Sequence, residues 1–355
     1  MIKQNSFTKE WILSTKGNER NDQNVIERQI YALYLLEELC LLSRNFVFKG
    51  GTSLSLLTNE FPRFSVDIDI LVDPAFKDLF CLEKLNKIIA NSRFIKVEED
   101  IRVPRYDIDK RHFAFFFDGV FSTNAFILLD IVFAPTHYQD IQHVGIKNYL
   151  LDTTEPITMV DVPSVHDLLA DKLGAFAPNT IGKKLGEGRD IEVIKQMYDV
   201  SFLMKHYSLS PSFDQIYMAM ANAEIVRRKM TCDYRTPICD TIRTAGIILT
   251  EGKTDSSQYV ILKEAIRKFT HYVRDLSFTV EQAKTCAIYA IYASLLVLSG
   301  GKESFDRISE RQLELRSTYR VFIPVKKWLR RTDGKLFVVM EKCLQVMEFF
   351  EIEID

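Results

Sequence analysis

The run VDIDILV, residues 66–72, sets two carboxylates into a segment that otherwise reads as a buried strand. Strand side chains alternate between faces, so Asp67 and Asp69 project together while Ile68 and Ile70 occupy the other side. Two like charges on one face repel unless a cation sits between them. Just upstream, FVFKGGTSLSLL reads as a short strand, Phe46–Phe48, a Lys49-Gly50-Gly51-Thr52 turn, and a helix over about 53–59 that stops before Pro62. Adjacent glycines before a helix let the backbone approach a phosphate and aim N–H groups at it. An ordinary tight turn uses the same residues, so the weight lies on the combination with the two aspartates.

A third carboxylate follows in NAFILLDIVF, residues 124–133, which is apolar on both faces except for Asp130. A lone carboxylate in such a strand is costly to bury without a partner. It either caps a backbone group or joins Asp67 and Asp69 as a metal ligand or general base. Mg²⁺ (or Mn²⁺) suits such a set, because it takes carboxylate, phosphate and water oxygens in octahedral geometry. Two such ions about 4 Å apart activate an attacking hydroxyl and steady a leaving pyrophosphate.

The rest of the chain frames this stretch. Residues 1–22 read as a polar arm over the surface. From Asn24, NVIERQIYALYLLEELCLLSR has the spacing of an amphipathic helix. A helix is expected over 78–92, then strands over Phe94–Val103, His112–Phe117 and Asn124–Phe133, with a short edge strand at Ile157–Val160. Beyond Ser164 the pattern turns helical. SVHDLLADKLGAFA is a helix with Ser164 as cap, PNTIGKKLGEG (178–188) a glycine- and lysine-rich loop, 189–206 a second helix, and 210–355 mostly helical with breaks at Gly300-Gly301 and Pro324. The expectation is an α/β (α+β) mixed sheet with flanking helices over 1–160, followed by a helical domain over 161–355. At 355 residues and 47% hydrophobic content the chain can bury a core in each.

A formal net charge of -2 gives no global field for nucleic acid or membrane, so any basic patch is local. The six cysteines are scattered and read as reduced thiols. MIKQNSFTKEW lacks the apolar core of a signal peptide. The longest apolar run, Cys286 to Leu298, falls short of the roughly 20 residues that span a bilayer. A cytoplasmic protein without a membrane partner is expected.

The glycine turn, short helix, D-x-D and later carboxylate resemble the nucleotidyltransferase superfamily. KGGTSLSL followed by RFSVDIDI is similar, more closely, to the AbiEii/AbiGii toxin family, in which a lysine precedes the glycines and an Arg-x-Ser leads into D-x-D. Here those are Lys49, Gly50, Gly51, Thr52, Arg63, Ser65, Asp67 and Asp69. That family carries a lysine on the helix after the sheet, matched by Lys172. It then has an Asp within a Lys/Arg-x-x-Tyr-Asp run, matched by Lys195 and Asp199. The resemblance covers about residues 25–205. It implies a nucleotidyltransferase-like sheet and a metal set of Asp67, Asp69 and Asp130. Gly50, Gly51 and Thr52 would hold phosphate, with Lys49 on phosphate or on the carboxylates. Lys172 would serve the triphosphate tail, and Asp199 would orient Lys172 or contact the nucleotide. Asp199 would equally make a plain ion pair with Lys195 one turn back. Arg63 and Ser65 serve either the nucleotide or the packing of the corner.

The acceptor is written less plainly. Arg316 to Lys335, RSTYRVFIPVKKWLRRTDGK, holds seven basic residues against one acidic, interleaved with Tyr319, Phe322 and Trp328. Basic and aromatic side chains together can hold a nucleic-acid backbone and stack a base. Lys183, Lys184 and Arg189 add charge near the expected site. The reading is a Mg²⁺-dependent transferase moving an NMP from an NTP to an acceptor hydroxyl, RNA or tRNA first. The resemblance adds abortive-infection biology and a cognate antitoxin. Two other readings stand beside it: nucleotidylation of a protein Ser, Thr or Tyr, and a non-catalytic protein that binds a nucleotide or partner on this fold.

Overall fold

The computed structural model describes residues 1–16, 22–58, 61–101, 109–274 and 277–354. The chain divides into two compact units, Met1–Ser164 with Tyr272–Leu276, and Val165–His271 with Ser277–Asp355.

The first unit opens with a 3₁₀ turn, Gln4–Phe7, and helix α1 (Lys9–Lys16). Residues 1–16 of the expected polar arm therefore pack onto the unit. Phe7 and Ile12 are buried, and the Trp11 indole N–H donates to the Leu150 carbonyl at 2.9 Å. Three apolar anchors among polar residues are too few to show as periodicity. Helix α2 (Gln23–Leu42) follows, then β1 (Val47–Lys49), α3 (Gly50–Leu57), β2 (Ile68–Val72), α4 (Leu82–Ile89), β3 (Lys96–Glu99), β4 (Lys110–Phe117), β5 (Ala125–Phe133), β6 (Ile141–Gly145) and β7 (Met159–Pro163). The expected helix over 78–92 is split, with a 3₁₀ stretch at Pro74–Phe80 ahead of α4. The expected ends of α3 at residue 59 and of β3 at Val103 lie outside the described residues. Strand β6 was not expected, because IQHVG offers no apolar run; it pairs with β7 as a separate antiparallel hairpin.

Five strands form one mixed sheet in the order β1-β2-β5-β4-β3. Only β2 and β5 run parallel; the other neighbours are antiparallel. Helix α2 closes one face. Its Ile26, Ile30, Leu33 and Leu36 join Phe48, Ile68, Ile70, Phe113, Phe115, Phe117, Ile127, Leu129 and Ile131 in a single core. Helix α2 is buried on most of its circumference, beyond the single stripe its sequence suggests, because α1 also packs on it. Strand β5 reads as apolar on both faces, yet its burial alternates strictly from Ile127 onward. The residues 126, 128, 130 and 132 face the side that α2 does not cover.

The turn joining β4 to β5 is fixed from α2. Glu27, 1% exposed, accepts from the backbone N–H groups of Val120, Phe121 and Ser122. A Cβ on Gly119 would lie 2.3 Å from that carboxylate, so a side chain there would have to displace it. A second fastening comes from far along the chain. The Phe64 N–H donates to the Tyr272 carbonyl at 2.9 Å, the Arg274 N–H donates to Pro62 at 2.9 Å, and Arg63 forms a β-bridge with Val273.

The second unit is helical: α5 (Val165–Ala175), α6 (Asp190–His206), α7 (Phe213–Arg227), α8 (Arg235–Leu249), α9 (Ser256–Phe269), α10 (Val280–Ser299), α11 (Lys302–Ser309), α12 (Ile323–Thr332) and α13 (Gly334–Phe349). Gly300 ends α10 in the left-handed conformation, φ 71, and Pro324 sits in the first turn of α12, where no N–H is needed. Helix α10 is long and apolar enough to cross a membrane, and 61% of its most apolar window is buried inside the protein. Its apolar character is accounted for by the core it fills.

Candidate functional site

Helix α3 begins at Gly50, three residues earlier than the sequence pattern suggests, so the two glycines form its first turn. Gly50 has φ +85, and a Cβ there would fall 2.3 Å from Asp69 Oδ2. The missing side chain is what allows the Asp69 carboxylate to lie against the first turn of α3. At Gly51 a Cβ would meet Arg63 Nη2 at 2.6 Å and Ser65 Oγ at 2.7 Å. Arg63 and Ser65 thus press on the same helical turn. Arg63 is 3% exposed, donates from Nη1 to the Phe64 carbonyl at 3.1 Å, and stacks 5.1 Å over the Phe61 ring. Of the two roles open to Arg63, these contacts belong to packing of the corner.

Thr52 is fully buried, and its hydroxyl donates to the Asp67 carbonyl at 2.6 Å. Its observed contact is to the chain that carries the first aspartate. Asp67 lies one residue before β2, not within it, and Asp69 is the second residue of the strand. The two carboxylates are half-buried.

Register brings four polar residues into line across four strands. Lys49 on β1 is paired with Asp69 on β2, Asp69 with Asp130 on β5, and Asp130 with His112 on β4. Residues in register on neighbouring strands point to the same face, and adjacent strands lie about 4.8 Å apart. This row occupies the face opposite α2. His112 Nδ1 lies 2.7 Å from Asp130 Oδ1, with the two side chains 16% and 33% exposed. A positive or proton-bearing group flanks each end of the carboxylate pair. The third carboxylate expected beside Asp69 is therefore there, brought by a parallel pairing of residues 61 apart in the chain, as the register partner of Asp69.

Among the described residues, no three His, Cys, Asp or Glu side chains converge into a closed metal site. The donors nonetheless fit a hard divalent cation. Mg²⁺ is commonly held by one or two carboxylates, with substrate phosphate and water completing the shell. Asp69 and Asp130 side by side, with a glycine turn pressed against Asp69, offer such a mount.

In the helical unit Lys172 on α5 and Asp199 on α6 pair directly, Nζ to Oδ2 at 3.2 Å, with 6% and 0% of their side chains exposed. Lys195 bonds Glu192 at 2.7 Å. Asp199 is thus in direct contact with Lys172. The loop 178–188 is pinned by a residue that sequence reasoning missed. Asp240 on α8, 4% exposed, accepts from the Asn179 N–H at 2.8 Å, the Asn179 side-chain amide at 2.7 Å and the Thr180 hydroxyl at 2.9 Å. Burial pushes its carboxyl above the usual range, and the hydrogen bonds from Asn179 and Thr180 oppose that shift. The signal was a single carboxylate inside RTPICDTIRTAGIIL, between buried Ile238 and Ile242. Beyond the pinned segment Lys183, Lys184 and Arg189 are exposed.

The basic stretch near the C-terminus is only partly available to a ligand. Arg316 bonds Glu348 at 3.2 Å and Lys326 bonds Glu341 at 2.9 Å. Arg320, Lys327, Arg331 and Lys335 are exposed, and none has a carboxylate partner among the described residues. The expected aromatic platform is reduced. Tyr319 and Phe322 are buried, the Tyr319 hydroxyl donating to the Ile352 carbonyl at 2.6 Å, because the 3₁₀ turn Ser317–Phe322 folds both rings inward. Trp328 stays half-buried, with the Lys284 ammonium 5.6 Å from its ring.

A family model described as "Nucleotidyl transferase AbiEii toxin, Type IV TA system" matches residues 34–286. Among solved structures the chain is similar to MenT4, a nucleotidyltransferase toxin from Mycobacterium tuberculosis H37Rv, at 12% identity and a TM-score of 0.49, covering 82% of this chain and 99% of that one. No curated protein matches.

Proposed function

The chain belongs to the AbiEii nucleotidyl transferase toxin family of type IV toxin–antitoxin systems, and from that premise we propose that it transfers an NMP from an NTP to an RNA hydroxyl with Mg²⁺ or Mn²⁺ held at Asp69 and Asp130. Membership makes it a nucleotidyltransferase, with an NTP as substrate and an antitoxin as the partner the family implies. The observation that carries the finer reading is the register pairing of Asp69 with Asp130 beside the glycine turn.

In this reading the acceptor hydroxyl oxygen bonds the α-phosphorus and releases its proton to a carboxylate or to water, the α–β P–O bond breaks, and pyrophosphate leaves. A bound divalent ion would supply charge neutralisation and activation of the attacking hydroxyl. The chain's own residues do the positioning. Asp69 and Asp130 hold the ion, and Asp67 approaches from the residue before β2. Gly50 and Gly51 let α3 present N–H groups to phosphate without side-chain obstruction. Thr52 and Arg63 fix the turn and the corner around it. Lys49, at the end of the row, offsets carboxylate or phosphate charge. The family resemblance assigns Lys172 to the triphosphate tail; within the helical unit its ammonium is held by Asp199.

RNA is favoured as acceptor because Arg320, Lys327, Arg331 and Lys335 are exposed positive charges, near one another in sequence, on a chain of net charge -2. With two of the three aromatic rings buried, contact would be mainly to phosphates and so steeply salt-dependent. This activity would be exercised in the cytoplasm, where NTP and RNA meet.

The test supplies purified protein with each α-³²P-labelled NTP, together with tRNA and a protein extract. Label on RNA, lost in Asp69→Asn and Asp130→Asn, is the expected result. Label on protein overturns the RNA acceptor and keeps the transferase. No label from any NTP, with Asp69→Asn still toxic on induction, overturns the catalytic reading.

A further inference from the structure

The geometry points to His112 as the residue that positions Asp130, and we propose that its imidazole sets the direction in which that carboxylate meets a divalent ion. This rests on the reading of Asp69 and Asp130 as the ion's mount.

Strand β4 reads KRHFAFFF. Its Phe113, Phe115 and Phe117 are fully buried in the core under α2. Alternation turns His112 to the opposite face, away from the packing that holds the strand in place. There it stands in register with Asp130, at 2.7 Å from Nδ1 to Oδ1. An ionised carboxylate only accepts, so the imidazole N–H is the donor. One directional bond to Oδ1 restricts rotation of the carboxylate plane. A lysine in this place would neutralise charge without that directionality.

The neighbour on the other side makes the restriction matter. Asp130 is in register with Asp69 on a parallel strand, where two carboxylates side by side would turn apart unless something held them. Asp69 is confined by the first turn of α3, where Gly50 leaves room for its Oδ2 and nothing larger. His112 provides the matching constraint for Asp130. Both carboxylates are thereby oriented by groups that need not touch substrate. Hydrogen-bond partners of metal-ligating groups commonly change metal affinity by 10–100-fold when removed.

The experiment titrates the full-length, nucleotide-free protein with Mn²⁺ alone, following free ion by EPR, in wild type, Asp69→Asn, Asp130→Asn, His112→Ala and His112→Asn. Thermal melts check folding. Wild type is expected to bind Mn²⁺, and both aspartate variants to lose binding. His112→Ala should weaken it about tenfold with its melt intact, while His112→Asn, which keeps a side-chain N–H near the position of Nδ1, should recover most of the loss. If both aspartate variants lose binding but His112→Ala binds as wild type, the role of His112 is overturned and the ion mount stands. If His112→Asn is as weak as His112→Ala, the donor has no directional role and the inference fails. If wild type binds no Mn²⁺, or the aspartate variants bind as wild type, the ion mount itself falls and the inference with it.

Discussion

Lys172 Nζ stands 3.2 Å from Asp199 Oδ2, with almost none of either side chain open to water. A buried pair of this kind gains little over an apolar pair of the same size, but leaving one charge alone is expensive. Asp199→Ala should destabilise the fold by about 3–5 kcal/mol. The double variant Lys172→Met/Asp199→Leu should lose less than Asp199→Ala alone. Urea unfolding of the variants measures both. A double variant as unstable as the sum of its single changes would show that the two charges do not depend on one another.

Gly50 and Gly188 share a left-handed backbone, φ +85 and φ +79, but not their surroundings. Gly188 has open space where a Cβ would go; Gly50 has the Asp69 carboxylate. Gly188→Ala should lose only the backbone contribution, about 1–2 kcal/mol. Gly50→Ala should lose more in urea unfolding and also weaken Mn²⁺ binding, because Asp69 must move. Equal losses, with ion binding intact in both, would separate Gly50 from the site.

Asp240 gives the helical unit a definite pH response. Burial raises its carboxyl above the ordinary value of 3.8, against the hydrogen bonds that Asn179 and Thr180 donate to it. The folded state then binds the proton more tightly than the unfolded chain. Its contribution to stability is therefore largest below pH 3.8 and declines as pH rises through the folded-state value. Asp240→Asn should flatten that part of the stability–pH curve, measured as urea midpoints across the acid range. An unchanged slope would count against it.

Thiol chemistry should sort the cysteines by burial. Burial pushes the Cys40 thiol up to about 12, and raises those of Cys286 and Cys343 as well. The thiolate is the reactive form. Iodoacetamide at pH 8 on the native protein should therefore leave these three unlabelled in peptide mass spectra, while the partly exposed Cys81 and Cys232 react. Early labelling of Cys343 would mean that the helical unit opens around α13.

What the sequence makes legible here is mostly local. The glycine turn, the Asp67/Asp69 spacing and the apolar setting of Asp130 are each contained within a few residues, and they are found close together. The long helices of the second unit are equally visible, because their periodicity runs for several turns. Register between distant strands is not local. Nothing in β2 or β5 alone says that Asp69 and Asp130 are partners, or that His112 completes the row. Asp240 was hidden for a related reason: its partners lie on a loop 60 residues earlier. The N-terminal helix and β6 were missed because a few anchoring side chains among polar ones leave no period to read.

The bridge between Arg63 and Val273 has a consequence for how the protein is made. Every strand of the five-stranded sheet has been synthesised by residue 133, yet the backbone partners of Pro62 and Phe64 do not exist until residues 272–274 leave the ribosome. The corner that leads into Asp67 and Asp69 is thus closed by chain synthesised more than 200 residues later. Such closure is slow and late. A fragment ending at residue 164 contains all the aspartates of the sheet and lacks the strap across their approach. In a toxin family, translation interrupted between Phe133 and Tyr272 would release a polypeptide that carries every aspartate of the sheet but not the strap that fastens their approach.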